Sequence, residues 1–291
     1  MVIVKTAEEL NKKYLRDGMW PTIFCNGCGI GVVLEYTLWA IEELGLDMDQ
    51  VVFASGIGCS SRLPGYINAD GLHTTHGRAI AFATGVKAAN PDLHVVVFTG
   101  DGDCTGIGGN HFIHAARRNI DMTVILINNF IYGMTGGQLA PTAPVGSIAT
   151  TAPYGNIEHP FDICALAKAL GAAYVARWPV FHPYQPIKSV KEGIQKKGFS
   201  LLEFLAPCPT EYGRYNKLGD IKKQWEWYEN NTILIEEYEK IMMYGTEEEK
   251  NQVKQMIQVG VFQNIEKPEF CTEYHKLLER IADKGGKSVK K

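Results

Sequence analysis

The chain has 291 residues, of which 45% are hydrophobic and 21% charged, so it can bury a sizeable core; its formal net charge of −3 gives no bulk reason to bind nucleic acid or an anionic membrane. No apolar run reaches the roughly 18 residues that a membrane span needs, and the N-terminal stretch MVIVKTAEELNKKYLRDG lacks the apolar core and cleavage site of a secretory signal. The expectation is a cytoplasmic protein with neither nucleic acid nor membrane as partner, in which seven cysteines read as thiols or metal ligands before disulfides.

Along the chain, apolar β-branched runs alternate with segments of helical spacing, the pattern of parallel strands joined by crossover helices. Helical spacing over Ile30–Leu44 precedes a strand at Gln50–Ser55 (QVVFAS), and a helix is predicted over His76–Ala89. Strand His94–Thr99 (HVVVFT), helix Gly109–Arg118 and strand Met122–Ile127 (MTVILI) follow, then helix Phe161–Leu170 and strands at Ala173–Arg177 and Ser200–Leu205. Pro91 and Gly171 stand where helices should stop. Beyond Pro209 the composition shifts: Tyr212–Ile265 is rich in Glu, Lys, Trp and Tyr with few strand signals, and Lys284–Lys291 (KGGKSVKK) reads as a loose basic end. The expected fold is an open parallel α/β sheet with helices on both faces over residues 1–215, followed by a helical C-terminal extension over 216–291.

The polar residues fall where such a sheet binds ligands, outside the carboxyl ends of its strands. Strand 94–99 runs into Gly100-Asp101-Gly102-Asp103, strand 122–127 into Asn128-Asn129, strand 50–55 into Gly56-Ile57-Gly58-Cys59-Ser60, and strand 200–205 into Ala206-Pro207-Cys208-Pro209. Magnesium takes oxygen ligands, commonly a carboxylate or two together with phosphate oxygens. Asp101 can supply the carboxylate, an Asn amide a neutral oxygen, and the carbonyl near Ile131 a third. Gly100 and Gly102 let backbone approach a diphosphate, and a helix starting near Gly108–Asn110 is predicted to point free N–H groups at it. Gly-Asp-Gly and Asn-Asn, separated by the 25 residues 103–127, resemble the thiamine-diphosphate signature, in which Asp101, Asn129 and the Ile131 carbonyl are the metal ligands.

Cys25 and Cys28 form a C-x-x-C ahead of a helix, and Cys59 and Cys208 lie in loops on the ligand edge. Four thiolates suit zinc or an iron–sulfur cluster, and from spacing alone ordinary buried thiols remain an equal reading. Of the basic residues, His73 and His76 would share a helix face. Arg62 and Arg78 could pair with phosphate or a carboxylate, with Arg62 read as a surface or subunit contact. His111 and His114 read as structural.

The blocks FCNGCGIG (24–31), SGIGCSSRLPGY (55–66), LHTTHGRA (72–79), GDGD (100–103), GGNHFIHAARRNIDMTVILINN (108–129), IYGMTGGQ (131–138) and PCPTEYGRYN (207–216) stand in an order similar to that of the β subunits of 2-oxoacid:ferredoxin oxidoreductases, nearest to the 2-oxoglutarate type. The resemblance implies that Cys25, Cys28, Cys59 and Cys208 hold a [4Fe–4S] cluster and that Asp101 and Asn129 hold magnesium. It also implies that His76 is a histidine of the cofactor pocket, and that Ile57, Gly58, Ser60, Gly100, Gly102 and Asp103 line the diphosphate and thiazolium of thiamine diphosphate. Asn26 departs from the family's C-P-G-C-G, which predicts a local change in loop rigidity without loss of a ligand. Cys104, Cys164 and Cys271 match no ligand position. The implied activity is coenzyme A-dependent oxidative decarboxylation of a 2-oxoacid, 2-oxoglutarate in preference to pyruvate or a branched-chain acid, with ferredoxin as electron acceptor and an α subunit completing the active site. A non-redox thiamine decarboxylase or carboligase subunit, and a cluster-holding subunit without thiamine, are the other classes compatible with the motifs.

Overall fold

The structure, a computed structural model, describes residues 6–288. In chain order its elements begin with α1 (Ala7–Tyr14), α2 (Ile30–Leu44), β1 (Val51–Ser55), α3 (Leu63–Tyr66), β2 (Asp70–His73), α4 (Ala79–Ala89) and β3 (His94–Gly100). They continue with α5 (Gly109–Arg118), β4 (Met122–Asn128), the short β5 (Ile131–Tyr132) and β6 (Gln138–Leu139), α6 (Ile163–Ala169), β7 (Tyr174–Pro179), α7 (Tyr184–Gln195) and β8 (Phe199–Leu205). The β-branched runs form the interior of one sheet in which β2, β1, β3, β4, β8 and β7 are neighbours in that order and all parallel. Every residue of β1, β4, β7 and β8 is buried, as a sheet covered on both faces requires.

The two-residue period of the strands divides the core. Phe53, Phe98, Ile125, Ile127, Leu202 and Phe204 face α2 and α7, which pack there through Val33, Leu34, Ile41, Val190 and Ile194. Their neighbours Ala54, Val97, Val124, Leu126 and Leu201 face α4, α5 and α6, with Phe112 and Ile163 filling that layer. Each such valine, leucine, isoleucine or phenylalanine, fully buried, contributes about 1.5–3 kcal/mol. Pro91 and Gly171 follow the ends of α4 and α6, as expected. The helix predicted from His76 starts at Ala79, so His73 ends β2 and His76 lies in a turn, and the two share no helix face. Helix α7 carried no sequence expectation, because Pro186 and Gly193 interrupt its pattern. Pro186 sits in the first turn, where its missing N–H costs nothing.

The C-terminal segment is largely helical, with α8 (Ile221–Asn231), α9 (Ile235–Tyr244), α10 (Glu247–Val253) and α11 (Phe270–Ser288), but it also holds β9 (Thr232–Leu234) and β10 (Ile257–Asn264). Strand β10 pairs antiparallel with β7 and carries β9 on its outer edge, so the segment completes the sheet instead of forming a separate layer beyond residue 215. Gly260, at a φ of 131°, and a register shift between Val261 and Gln263 break the alternation that would have announced β10. The end expected to be loose from Lys284 is helical to Ser288, and residues 289–291 lie outside the described residues. Among the described residues no helix is long and apolar enough to cross a membrane.

Because β10 covers the edge of β7, cutting the chain after Lys254 exposes a buried strand edge. The truncated protein is expected to aggregate, and size-exclusion chromatography checks this; a monodisperse product with native circular dichroism would contradict it.

Candidate active site

The loops at the carboxyl ends of β1, β3 and β4 enclose a cavity of about 480 Å³. The sheet favours a crevice here, since the chain leaves β1 to pair β2 on one side and crosses back to β3 on the other. At the end of β3 the chain turns straight into helical backbone, with a π turn over Asp103–Ile107 closed by Gly108 N–H donating to the Asp103 carbonyl at 3.2 Å. Such turns recur at functional sites. Helix α5 begins only at Gly109, and the turn residues that line the cavity are Gly100–Asp103 and Ile107. Gly108–Asn110, where the sequence predicted the helix to start, do not line the cavity.

Asp101 is buried at the mouth of this turn. Its Oδ2 accepts from Thr142 Oγ1 at 2.5 Å, and its carbonyl accepts from Thr105 Oγ1 at 2.7 Å. Burial pushes its carboxyl up to about 7, against the lowering effect of the Thr142 hydroxyl. Gly102 is required by Tyr132: a Cβ there would run into the tyrosine ring, whose hydroxyl donates to the Gly102 carbonyl at 3.1 Å.

Strand β4 delivers the second half. Gly100 is in register with Ile127, so Asp101 and Asn129 leave adjacent parallel strands at nearly the same level. Between Asn129 and Ile131, Phe130 takes a φ of +64°, which costs a non-glycine residue energy and bends the chain so that Asn129 and Ile131 both line the cavity. Asn129 itself is buried.

Asp103 lines the cavity too, but its oxygens are spent on the protein. Oδ1 accepts from Gly77 N–H at 2.6 Å, from Ile57 N–H at 3.3 Å and from His76 Nδ1 at 2.8 Å; Oδ2 accepts from Thr99 Oγ1 at 2.9 Å. One carboxylate thus ties the loop after β1 and the loop after β2 to the turn after β3. His76 Nδ1 is also 3.1 Å from the Ile57 carbonyl. Both neighbours of Nδ1 are acceptors, so Nδ1 carries the proton, and Nε2 takes no protein partner among the described residues. Ile57, Gly58, Ser60 and His76 all line the cavity. His73 stands apart, with Nδ1 3.1 Å from Ser55 Oγ. Arg78 donates to the Ile107 carbonyl at 3.3 Å and so clasps the turn. His111 and His114 lie on α5 and line none of this cavity.

The four predicted cysteines converge. Cys25, Cys28, Cys59 and Cys208 line a second cavity of about 190 Å³, together with Arg62. A Cβ on Gly133 would stand 3.6 Å from the sulfurs of both Cys59 and Cys208, so these two face the same bare stretch of backbone. Burial, reinforced by the neighbouring cysteines, raises the Cys28 thiol to about 12 and the Cys59 thiol to about 11, and burial raises Cys208 as well. Among the described residues no three His, Cys, Asp or Glu side chains converge closely enough to hold a single metal ion; the thiols ring a space. Cys104, Cys164 and Cys271 are buried and do not line this cavity. The two cavities share a wall, made of Ile30, Cys59, Asn129, Gly133 and Met134.

Sequence reasoning missed Thr142 and Tyr132. A lone threonine in a loop carries no signal, but Tyr132 follows Ile131 inside the block IYGMTGGQ and could have been suspected from the bareness of Gly102.

Residues 56–204 match the thiamine pyrophosphate enzyme, C-terminal TPP binding domain. The chain is 55% identical over 269 residues to 2-oxoglutarate synthase subunit KorB of Methanocaldococcus jannaschii, an alignment covering 92% of this chain and 97% of that one. It is 43% identical over 216 residues to the 2-oxoacid:ferredoxin oxidoreductase subunit beta of Saccharolobus solfataricus, covering 74% and 68%. Its fold superposes with a TM-score of 0.81 and 32% identity on a chain of 2-oxoglutarate:ferredoxin oxidoreductase from Magnetococcus marinus, solved with 2-oxoglutarate, coenzyme A and succinyl-CoA bound, over 97% of this chain and 92% of that one. A thiamine-binding fold matched through its cofactor loops, with relatives aligned over most of their length, places the chain in the family of 2-oxoacid:ferredoxin oxidoreductase β subunits.

Proposed function

We propose that this subunit holds thiamine diphosphate, magnesium and a [4Fe–4S] cluster, and serves the coenzyme A-dependent oxidative decarboxylation of 2-oxoglutarate with ferredoxin as electron acceptor. The observation that carries the reading is the shared wall: the cavity at Asp101 and Asn129 and the four-cysteine cavity have Cys59, Asn129 and Gly133 in common. When bound, thiamine diphosphate takes up the electron pair left by departing CO₂, and an adjacent iron–sulfur cluster passes electrons on singly, as ferredoxin requires.

The residues present fit these groups. Asp101 is a fully buried carboxyl with one side-chain hydroxyl as partner, an arrangement that a nearby cation would stabilise in its charged form. With the Asn129 amide and the Ile131 carbonyl it forms an all-oxygen donor set, which suits magnesium. The cysteine thiols lie close enough to raise one another's proton affinity, and they ring a space instead of meeting at a point, which suits a polynuclear centre better than one zinc ion.

The chain's own residues then have separable tasks. Asp101, Asn129 and Ile131 would hold the metal and through it the diphosphate, with Gly102 admitting the backbone. Asp103 fixes the three loops and orients His76, leaving its Nε2 available to accept a proton or a hydrogen bond from a bound group on the cavity side. Ile57, Ile107 and Met134 line the cavity yet stay partly exposed in this chain. An apolar rim of this kind is suited to a covering partner, here the α subunit that completes the site.

Three outcomes are expected. In the assembled enzyme, magnesium with thiamine diphosphate at about a hundred times the dissociation constant should stabilise the protein by about 2.7 kcal/mol. Asp101→Asn should abolish that gain, as read by thermal unfolding with and without chelator. Cys208→Ser, purified without oxygen, should lose the broad visible absorption of the cluster while still binding thiamine diphosphate. A colourless, zinc-containing wild type would overturn the redox reading, and initial rates with 2-oxoglutarate, pyruvate and 2-oxoisovalerate decide the substrate. Asp103→Asn puts an amide against donors that need an acceptor, so it should cost about 1–3 kcal/mol and speed amide exchange at Ile57 and Gly77.

A further inference from the structure

We propose that Glu203 and Asn128 form a positioning relay that sets the backbone of the metal-binding turn, with Arg177 anchoring Glu203 from the neighbouring strand. The proposal rests on the reading of Asp101, Asn129 and Ile131 as the metal ligands and goes beyond it, since neither Glu203 nor Asn128 lines the cofactor cavity.

Arg177, Glu203 and Asn128 run diagonally across three adjacent strands on one face of the sheet. Arg177 on β7 is in register with Glu203 on β8, and Glu203 is in register with Leu126 on β4, two residues before Asn128 on the same face. Glu203 is only 1% exposed. Its Oε2 accepts from Arg177 Nε at 2.8 Å and from the Cys164 thiol at 3.2 Å, and its Oε1 accepts from Asn128 Nδ2 at 2.8 Å. Arg177 is itself held by Asp162 Oδ1 at 2.6 Å and by the Gln258 carbonyl at 3.2 Å.

The consequence lies in what a carboxylate paired with a guanidinium can do. It only accepts hydrogen bonds, so Asn128 must present its amide N–H₂ to Glu203, and the amide oxygen is forced to the other side. There Asn128 Oδ1 accepts from Phe130 N–H at 3.2 Å, an Asx turn around Asn129. That turn supports the positive φ of Phe130, the bend on which the placement of Asn129 and Ile131 depends. The Arg177–Glu203 pair thus has a role beyond holding the strands together: it fixes the carboxylate that orients the Asn128 amide.

The test uses the assembled enzyme, stripped of metal by chelator and titrated with Mg²⁺ in saturating thiamine diphosphate, with Mn²⁺ replacing Mg²⁺ for electron paramagnetic resonance. Asn128→Ala should weaken Mg²⁺ binding about 10- to 100-fold, the range typical of residues behind metal ligands, and should alter the Mn²⁺ spectrum. Glu203→Gln alone removes the buried charge beside Arg177 and leaves it only Asp162 and the Gln258 carbonyl, so Glu203→Gln with Arg177→Met is the informative partner variant; it should weaken binding within the same range. Asn128→Ala decides the matter if the double variant does not fold. Mg²⁺ affinity within threefold of wild type in Asn128→Ala, alongside loss of binding in Asp101→Asn, overturns the relay alone. Unchanged binding in Asp101→Asn overturns the metal-site reading and the relay with it.

Discussion

A carboxyl group buried at the end of an interior strand is the constraint on which the carboxyl edge of this protein depends. Taking a carboxylate out of water is costly unless charge or hydrogen bonds replace the lost solvation. Asp101 has the Thr142 hydroxyl and backbone N–H groups of the turn against its side chain, and burial still pushes its carboxyl up to about 7. Much of the surrounding design follows from that burial. The turn after β3 is helical from its first residue, Tyr132 closes over a glycine that cannot be replaced, and a second strand brings an amide and a carbonyl to the same level. These features place neutral oxygen and backbone N–H groups around one buried carboxyl.

The apolar strands were legible because a sheet covered on both faces demands unbroken β-branched runs, and the five long parallel strands read from the sequence all lie where those runs stand. The loop residues were legible for a related reason: Gly-Asp-Gly and Asn-Asn each follow a strand directly, so the fold itself aims them at one edge. What the sequence concealed was context. Strand β10 is broken by Gly260 and a bulge, so its period never accumulates. Thr142 reaches Asp101 from 41 positions away, a pairing that only the folded chain can reveal. Asp103 lines the cavity, and what its sequence position could not show is that its oxygens are also engaged by Gly77, Ile57, His76 and Thr99.

The cysteines teach a different lesson. One C-x-x-C and two distant single cysteines do not distinguish zinc, a cluster or unrelated thiols by spacing. Folding brings all four to one cavity, because Cys28 stands just ahead of α2 and Cys59 and Cys208 follow β1 and β8 on the same edge. Gly133 lies against two of these sulfurs, where a Cβ would stand in ordinary contact, 3.6 Å from each.

The shared wall between the two cavities also bears on why such a site would be divided between chains. Cys59 and Asn129 each line both spaces, so any group bound in one is separated from the other by little more than a side chain. Short separation favours rapid electron movement, but it equally exposes a reactive cofactor to water on its open side. That side is apolar here, formed by Ile57, Ile107 and Met134, and no element of the described chain covers it. A cover supplied by the same chain would have to open for substrate while leaving the cysteine wall fixed. A cover supplied by a second subunit would let this one stay rigid, with Asp103 locking its three loops.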